Sequence, residues 1–174
     1  MENVKYLGKY YKLIEEEING QIYEKAYFKH AIIAYPLLDN KKFLFIKELR
    51  VHENPKLRIK PVTGFLEDDL TWEENTQKEL REEVGLCSNN IELFHHYKSS
   101  GGFNSAKYFS ICSDLYVDDN PIINPDGDVI LEKIEYTIEE ALEKSLSGEI
   151  KITADTLGLF LLYHNKELRE KYGY

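Results

Sequence analysis

Cysteine is nearly missing from this sequence. Cys87 and Cys112 are its only two, they sit in unrelated local contexts, and no CxxC or Cys/His metal spacing occurs. A disulfide framework and a thiolate zinc site are thereby set aside, and both residues read as reduced thiols of a cytosolic protein. Long hydrophobic runs are missing too. The apolar stretch Leu157–Tyr163 is far too short to span a bilayer, and the opening residues MENVKYLGKYYK lack the apolar core of a signal peptide. Positive charge is in deficit: 22 Lys and Arg against 31 Asp and Glu leave a net charge of −9. That disfavours nucleic-acid binding by a basic surface. It leaves room for an anionic small molecule wherever a metal ion or a local cluster of Arg and Lys offsets the field. Neither a low-complexity linker nor an internal repeat stands out.

What is present suits one globular domain. A chain of 174 residues, 43% hydrophobic and 30% charged, is long enough for one sizeable core and too short for two independent ones. Near the start, YYKLIEEEI and QIYEKAYF flank Asn19-Gly20, the strongest short hairpin signal. HAIIAYPLL reads as a buried strand, and KKFLFIKEL, beyond an Asp39-Asn40 turn, reads as its partner. VHENPKLRIKP reads as a polar loop. A helix is expected from Leu70 or Thr71 to Val84, stopped by Gly85 as a left-handed cap. Strands follow at IELFHHYKS and KYFSICSDLYV, separated by Ser99-Ser100-Gly101-Gly102. A turn-rich loop runs from Asn120-Pro121 to Asp126-Gly127, then a strand near Val129–Tyr136. Thr137 with Glu140 forms a capping box for a helix ending near Gly148. Asp155 is expected to cap a last amphipathic helix carrying Leu157, Leu161, His164 and Leu168. This order of elements suggests a mixed sheet between helices.

The stretch GFLEDDLTWEENTQKELREEVGL, Gly64 to Leu86, carries the chemistry. At about 100° per residue, Glu79, Glu82 and Glu83 fall at roughly 0°, 300° and 40° on a helical wheel, sharing one face. Leu80 and Val84 fall at roughly 100° and 140°, on the adjoining face that packs against a sheet. An acidic stretch taken alone is usually a solvated helix face. Three carboxylates this close on an anchored helix repel one another unless a cation sits among them. Hard oxygen ligands suit Mg²⁺, with Mn²⁺ as a substitute. Such an ion bridges a diphosphate and lowers the pKa of a bound water.

This segment resembles the Nudix box, Gly-x5-Glu-x7-Arg-Glu-φ-x-Glu-Glu-x-Gly-φ, where φ is apolar. Seven of nine defined positions match: Gly64, Glu79, Leu80, Glu82, Glu83, Gly85 and Leu86. A match this good arises by chance roughly once in 10⁴ such chains. Leu70 stands where the first Glu belongs and Lys78 where the Arg belongs. Lys78 keeps the charge but lacks the planar fork that orients the acids. The resemblance implies an α/β (α+β) Nudix fold over residues 1–174, a mixed β-sheet sandwiched between α-helices. Residues 1–30 would be an N-terminal β-hairpin used in homodimerisation, and 64–86 the box. It implies Glu79, Glu82 and Glu83 as catalytic acids and metal ligands, joined by the backbone carbonyl of Thr63.

The rest of the chain resembles the branch that hydrolyses ADP-ribose and nucleoside diphosphate sugars. Glu48-Leu49-Arg50 stands where that branch has Gln-x-Arg, which makes Arg50 a phosphate or ribose contact. YKSSGG resembles its Ser-Pro-Gly loop through Ser99, Gly101 and Gly102, whose backbone could approach a ligand. The plain alternative is a hairpin turn. Ser105 replaces a Glu that the branch often carries. The general base is expected in the late loop, with Asp128 preferred over Asp126 and Glu132. Phe28 or Tyr27 would stack on the base, although aromatics there are more often core or interface residues. His95-His96 is assigned no chemistry. Lys60-Pro61-Val62-Thr63-Gly64 looks more like Nudix enzymes acting on nucleoside or pterin triphosphates. The expected function is Mg²⁺-dependent cleavage of a small-molecule nucleoside diphosphate derivative. The alternatives are a (d)NTP pyrophosphatase and a catalytically weak nucleotide-sugar sensor. No nucleic-acid or membrane partner is expected.

Overall fold

In the computed structural model, residues 2–51, 53–54, 56–119 and 129–174 are described. Alternation of side chains along two strands organises the core. In β4 (Ala31–Pro36), Ile32 and Ala34 face one way and Ile33 and Tyr35 the other. In β5 (Phe43–Leu49), Leu44 and Ile46 oppose Phe43 and Phe45 in the same manner. Both faces of both strands are therefore apolar, and each face must be covered. One is covered by α1 (Trp72–Glu79) and the turn that continues it, through Leu80 and Val84. The other is covered by α2 (Ile138–Leu146), α3 (Thr153–His164) and α4 (Lys166–Tyr172), through Ile138, Ala141, Leu159, Leu162 and Leu168. The result is a mixed sheet between helices.

Three sheets build this layer. The central one has the order β7 (Val62–Phe65), β4, β10 (Ala106–Val117), β8 (Leu86–Lys98), with β10 parallel to β4 and antiparallel to β8. A three-stranded antiparallel sheet places β5 between β11 (Val129–Tyr136) and β6 (Leu57–Lys60). The third sheet is N-terminal: β1 (Glu2–Leu7), β2 (Tyr11–Ile18) and β3 (Gln21–Phe28), extended by the two-residue β9 (Phe103–Asn104). Asn19 and Gly20 both have positive φ, 53° and 78°, and join β2 to β3 as the Asn-Gly signal requires.

Several local expectations need correction. β4 and β5 are not sheet partners. The Asp39-Asn40 turn does form, but only the single bridge Leu37↔Phe43 follows it before the strands enter different sheets. A run that is apolar on both faces does not encode which edge it pairs. The stretch read as a polar loop contains β6, whose pairing with β5 sets Lys60 opposite Ile46. Asp155 does not cap α3: the cap position is Ile152, and Asp155 lies buried in the first turn. The last helix is two, because the Asn165 side chain accepts from Leu168 N–H and starts α4. The Thr137–Glu140 capping box and the left-handed Gly85, φ 65°, are as expected. Cys87 and Cys112 are buried free thiols. No helix among the described residues is long and apolar enough to cross a membrane.

The packing of α3 on β4 has a sharp test. A Cβ on Gly158 would lie 2.1 Å from the Tyr35 hydroxyl, which donates to the Asp155 carbonyl at 2.7 Å. Tyr35 is fully buried and has nowhere to swing. Ala at a helix interior gains about 1 kcal/mol over Gly, whereas overpacking a core costs about 1–3 kcal/mol. With so close a clash the second effect should win. Gly158→Ala should lower the urea midpoint, and an unchanged or raised midpoint would show that α3 can slide away from β4.

Candidate active site

The acidic residues are delivered by one continuous helical run with two hydrogen-bonding patterns. Thr71 caps α1 in a complete capping box with Glu74. Buried Asn75 ties the preceding loop to the helix, accepting from Glu67 N–H and donating to the Phe65 carbonyl, each at 3.2 Å. After Glu79 the run widens into a π turn, Leu80–Val84, rather than remaining α-helical to Val84. Such turns are common at functional sites. Buried Leu80 and Val84 anchor it to the sheet, Gly85 ends it, and Lys133 Nζ donates to the Val84 carbonyl at 2.5 Å. The wheel angles drawn for a regular helix therefore do not carry past Glu79.

The three acids still crowd one another. Glu79 is pushed up to about 8, first by burial and then by the charges of Glu83 and Glu82. Its carboxylate lies against Gly64: a Cβ there would meet Glu79 Oε1 at 1.8 Å. The box glycine is thus a matter of space. Glu82 has Lys78 Nζ at 3.6 Å. Lys78 also reaches Glu67 at 2.5 Å, so Glu67 supplies a carboxylate that Leu70 cannot.

Glu83 is buried and faces inward. Its Oε2 accepts from Thr63 N–H at 3.1 Å, and its Oε1 receives Lys60 Nζ at 2.6 Å. Burial pushes Glu83 up to about 6, with Lys60 pulling it back. Lys60 is 1% exposed. It also donates to Thr63 Oγ1 at 3.0 Å and lies 3.8 Å from Glu48 Oε2. Glu48 is fully buried, and Arg50 Nε lies 3.0 Å from the same oxygen. These are charge contacts, since neither Glu48 oxygen accepts an aligned hydrogen bond. Asp155 feels the same charges. Burial raises it to about 7, Lys60 and Arg58 pull it down, and Glu83 pushes it up.

Among the described residues, no three His, Cys, Asp or Glu side chains converge closely enough to hold an ion as they stand. The inward turn of Glu83 accounts for part of this. The donors themselves fit a hard divalent cation: they are carboxylate and carbonyl oxygens, and burial with the charges of Glu83 and Glu82 holds Glu79 up even against the pull of Lys60 and Lys78.

The other candidates fall in several places. Arg50 directly follows β5, beside Glu48. Ser99 is held across the turn after β8, its N–H and Oγ both donating to the Ser105 carbonyl. Gly101 has φ 87°, and the Gly102 carbonyl accepts from Ala26 N–H at 2.7 Å, pinning the loop to β3. Phe28 stacks near Phe103 at 6.1 Å and borders a cleft with Lys29, His30, Glu67 and Leu70. A second cleft, lined by Phe94, Phe160, Leu161, His164 and Asn165, contains none of the acids. Asp126 and Asp128 lie outside the described residues. Glu132, on β11, pairs with Lys47 at 3.7 Å. Sequence reasoning missed Lys60, Glu48, Glu67 and Asp155 as parts of this site. The available signals were a lysine between apolar Ile59 and Val62 and a lone acid opening the apolar run of α3.

The raised acids give a pH signature. A folded-state pKa above the unfolded value means the fold holds protons that the unfolded chain has lost. Without metal, stability should therefore fall as pH rises from about 4.5 to about 8. Glu79→Gln removes that buried and crowded charge. In a chelator, its Tm should exceed that of the parent at pH 9 and approach it near pH 4. An equal offset at both pH values in scanning calorimetry would rule out the buried Glu79 charge as the source.

Comparison with known proteins follows from this geometry. No curated protein matches the sequence. A solved structure described as an ADP compounds hydrolase superimposes with a TM-score of 0.75 over 98% of this chain and 94% of that one, at 17% identity, which speaks for the fold. The NUDIX domain family model matches residues 28–156, from the end of β3 into α3 and across the whole acidic segment. With most of its length matched by that model, the chain belongs to the Nudix family.

Proposed function

We propose that this protein hydrolyses the diphosphate linkage of a nucleoside diphosphate derivative, with ADP-ribose or another nucleoside diphosphate sugar as the substrate class. The carrying observation is the crowded acid set on the α1–π run, where burial and the charges of Glu83 and Glu82 hold Glu79 up. Membership in the Nudix family supports pyrophosphate hydrolysis. The solved neighbour described as an ADP compounds hydrolase supports an ADP-containing substrate.

Glu79, Glu82 and Glu83, with the Thr63 carbonyl, are the residues that would hold a divalent cation, Mg²⁺ or Mn²⁺. When bound, such an ion neutralises diphosphate oxygens and acidifies a coordinated water. The chain supplies the rest. Gly64 leaves room for Glu79, and Thr63 N–H fixes Glu83. Lys78 steers Glu82 while held by Glu67. Arg50 offers a planar guanidinium to a phosphate. A water oxygen bonds to one phosphorus and gives its proton to a general base, the bridging P–O bond breaks with its electron pair on the departing phosphate oxygen, and a nucleoside monophosphate and a sugar phosphate leave. Phe28 and the Ser99–Gly102 turn border the nucleoside side.

A homodimer is part of this proposal. Tyr6, Tyr11, Leu13, Ile22 and Phe28 expose apolar surface on one face of the N-terminal sheet, and exposed apolar patches mark association sites. Ile22→Lys should convert a sedimenting dimer to monomer. A parent chain that sediments as a monomer would remove the dimer from the proposal.

The activity is tested by offering purified protein and Mg²⁺ a panel of ADP-ribose, sugar nucleotides, dinucleoside polyphosphates and dNTPs, with phosphatase-coupled phosphate release. Cleavage of a diphosphate sugar should fall at least about 100-fold in Glu79→Gln. Turnover of dNTPs alone would reassign the substrate. Tight binding with no turnover would favour the sensor, a reading that the Lys60–Glu83 contact also supports.

A further inference from the structure

Lysine is almost never fully buried unless its charge is answered. Lys60 is buried, and its ammonium meets four oxygens: Glu83 Oε1 at 2.6 Å, Thr63 Oγ1 at 3.0 Å, the Thr63 carbonyl at 3.5 Å and Glu48 Oε2 at 3.8 Å. Carboxylate, carbonyl and hydroxyl oxygens around one positive centre make the shell that a hard cation takes. Two of those groups, Glu83 and the Thr63 carbonyl, belong to the set named above for a divalent ion. We propose that the Lys60 ammonium is a tethered cation that fills one of the ion positions bordered by Glu83 and Thr63, so that the chain takes up one divalent ion fewer than its acids allow, while Glu79, Glu82 and the remaining lone pairs of Glu83 and Thr63 stay open to metal.

The position follows from the fold. Lys60 ends β6 and Thr63 lies in β7, so the two meet across a tight β6–β7 corner. β5 brings Glu48 from one side, and the π turn brings Glu83 from the other. The stem of Lys60 is enclosed with its head group, which leaves the ammonium no route to solvent. In contrast, the lysine beside Glu82 is Lys78, whose side chain is 30% exposed and shared with Glu67. The first ammonium is locked in place, and the second is able to yield to an incoming ion. Lys60 is thus a positioning residue that fixes Glu83 and Thr63.

The inference rests on the proposed diphosphate chemistry, and the experiment separates the two. Mn²⁺ uptake per chain is counted by electron paramagnetic resonance of the free ion, for the parent and for Lys60→Met. Removing the ammonium leaves Glu83, Glu48 and the Thr63 oxygens without their positive charge, and the flexible thioether can move aside, so Lys60→Met should bind one more Mn²⁺ per chain. Its Tm should also rise more steeply with Mn²⁺ than that of the parent. Equal stoichiometry in the two proteins overturns the lysine assignment while leaving the diphosphate reading standing. A parent chain that takes up no Mn²⁺ overturns both. Should Lys60→Met fail to fold, the parent decides: an exchange-protected Lys60 Nζ signal in nitrogen-15 spectra should persist at saturating Mg²⁺. Loss of that protection would show the ion displacing the ammonium and would overturn the proposal.

Discussion

The site depends on a buried line of alternating charge. It runs from Arg50 through Glu48 and Lys60 to Glu83, and ends at the Thr63 amide. Its five members come from four local structures: the end of β5 with the residue after it, the end of β6, the start of β7 and the π turn. None of these segments is positioned by sequence neighbours alone. Removing charges from water is costly, and the cost is recovered only when every member meets its partner. The line therefore has two acceptable states, complete or absent, and its completion fixes the distance between the three-stranded sheet and the acid-bearing turn. Burying it demands two apolar clusters around it, which the alternating faces of β4 and β5 supply.

Much of the fold was legible because local chemistry and global placement agreed. Asn19-Gly20 demands positive φ in both residues, and only a tight hairpin answers that demand. Thr137 with Glu140, and Gly85 after Val84, mark helix ends through groups that need partners nearby in sequence. Pairing was less legible. The residues of β4 and β5 state that both faces are buried but say nothing about neighbours, and β4 takes β7 and β10 rather than the strand that follows it. β6 was hidden by its brevity: Leu57-Arg58-Ile59-Lys60 alternates apolar and charged residues as a strand does, but over only four positions inside a polar, proline-bearing stretch.

The acids of the site were visible from spacing, and the partners that tune them were not. Glu79, Glu82 and Glu83 lie within five residues. Lys60 comes from nineteen residues before Glu79, and Glu48 from farther still. A buried lysine reads in sequence like a surface one, since only the fold decides whether its head group reaches water. Glu67 shows the same limit from the other side. Leu70 looked like the loss of a carboxylate, yet the loop bound by Asn75 brings a different one to Lys78. The Asp155 reading failed because an acid opening a helix is usually a cap, whereas here it sits on the face turned to the charged core.

The π turn carries one residue more than a regular helix would need to cover the same rise. That surplus sets the angular phase of Glu82 and Glu83 relative to Glu79. Deleting one position between Leu80 and Val84 would restore ordinary winding without touching an acid, yet would swing the last two carboxylates away from β7 and draw the start of β8 out of step with β10. Evolutionary drift in this segment is therefore constrained by length as tightly as by residue type, and insertions or deletions there should be far rarer than substitutions.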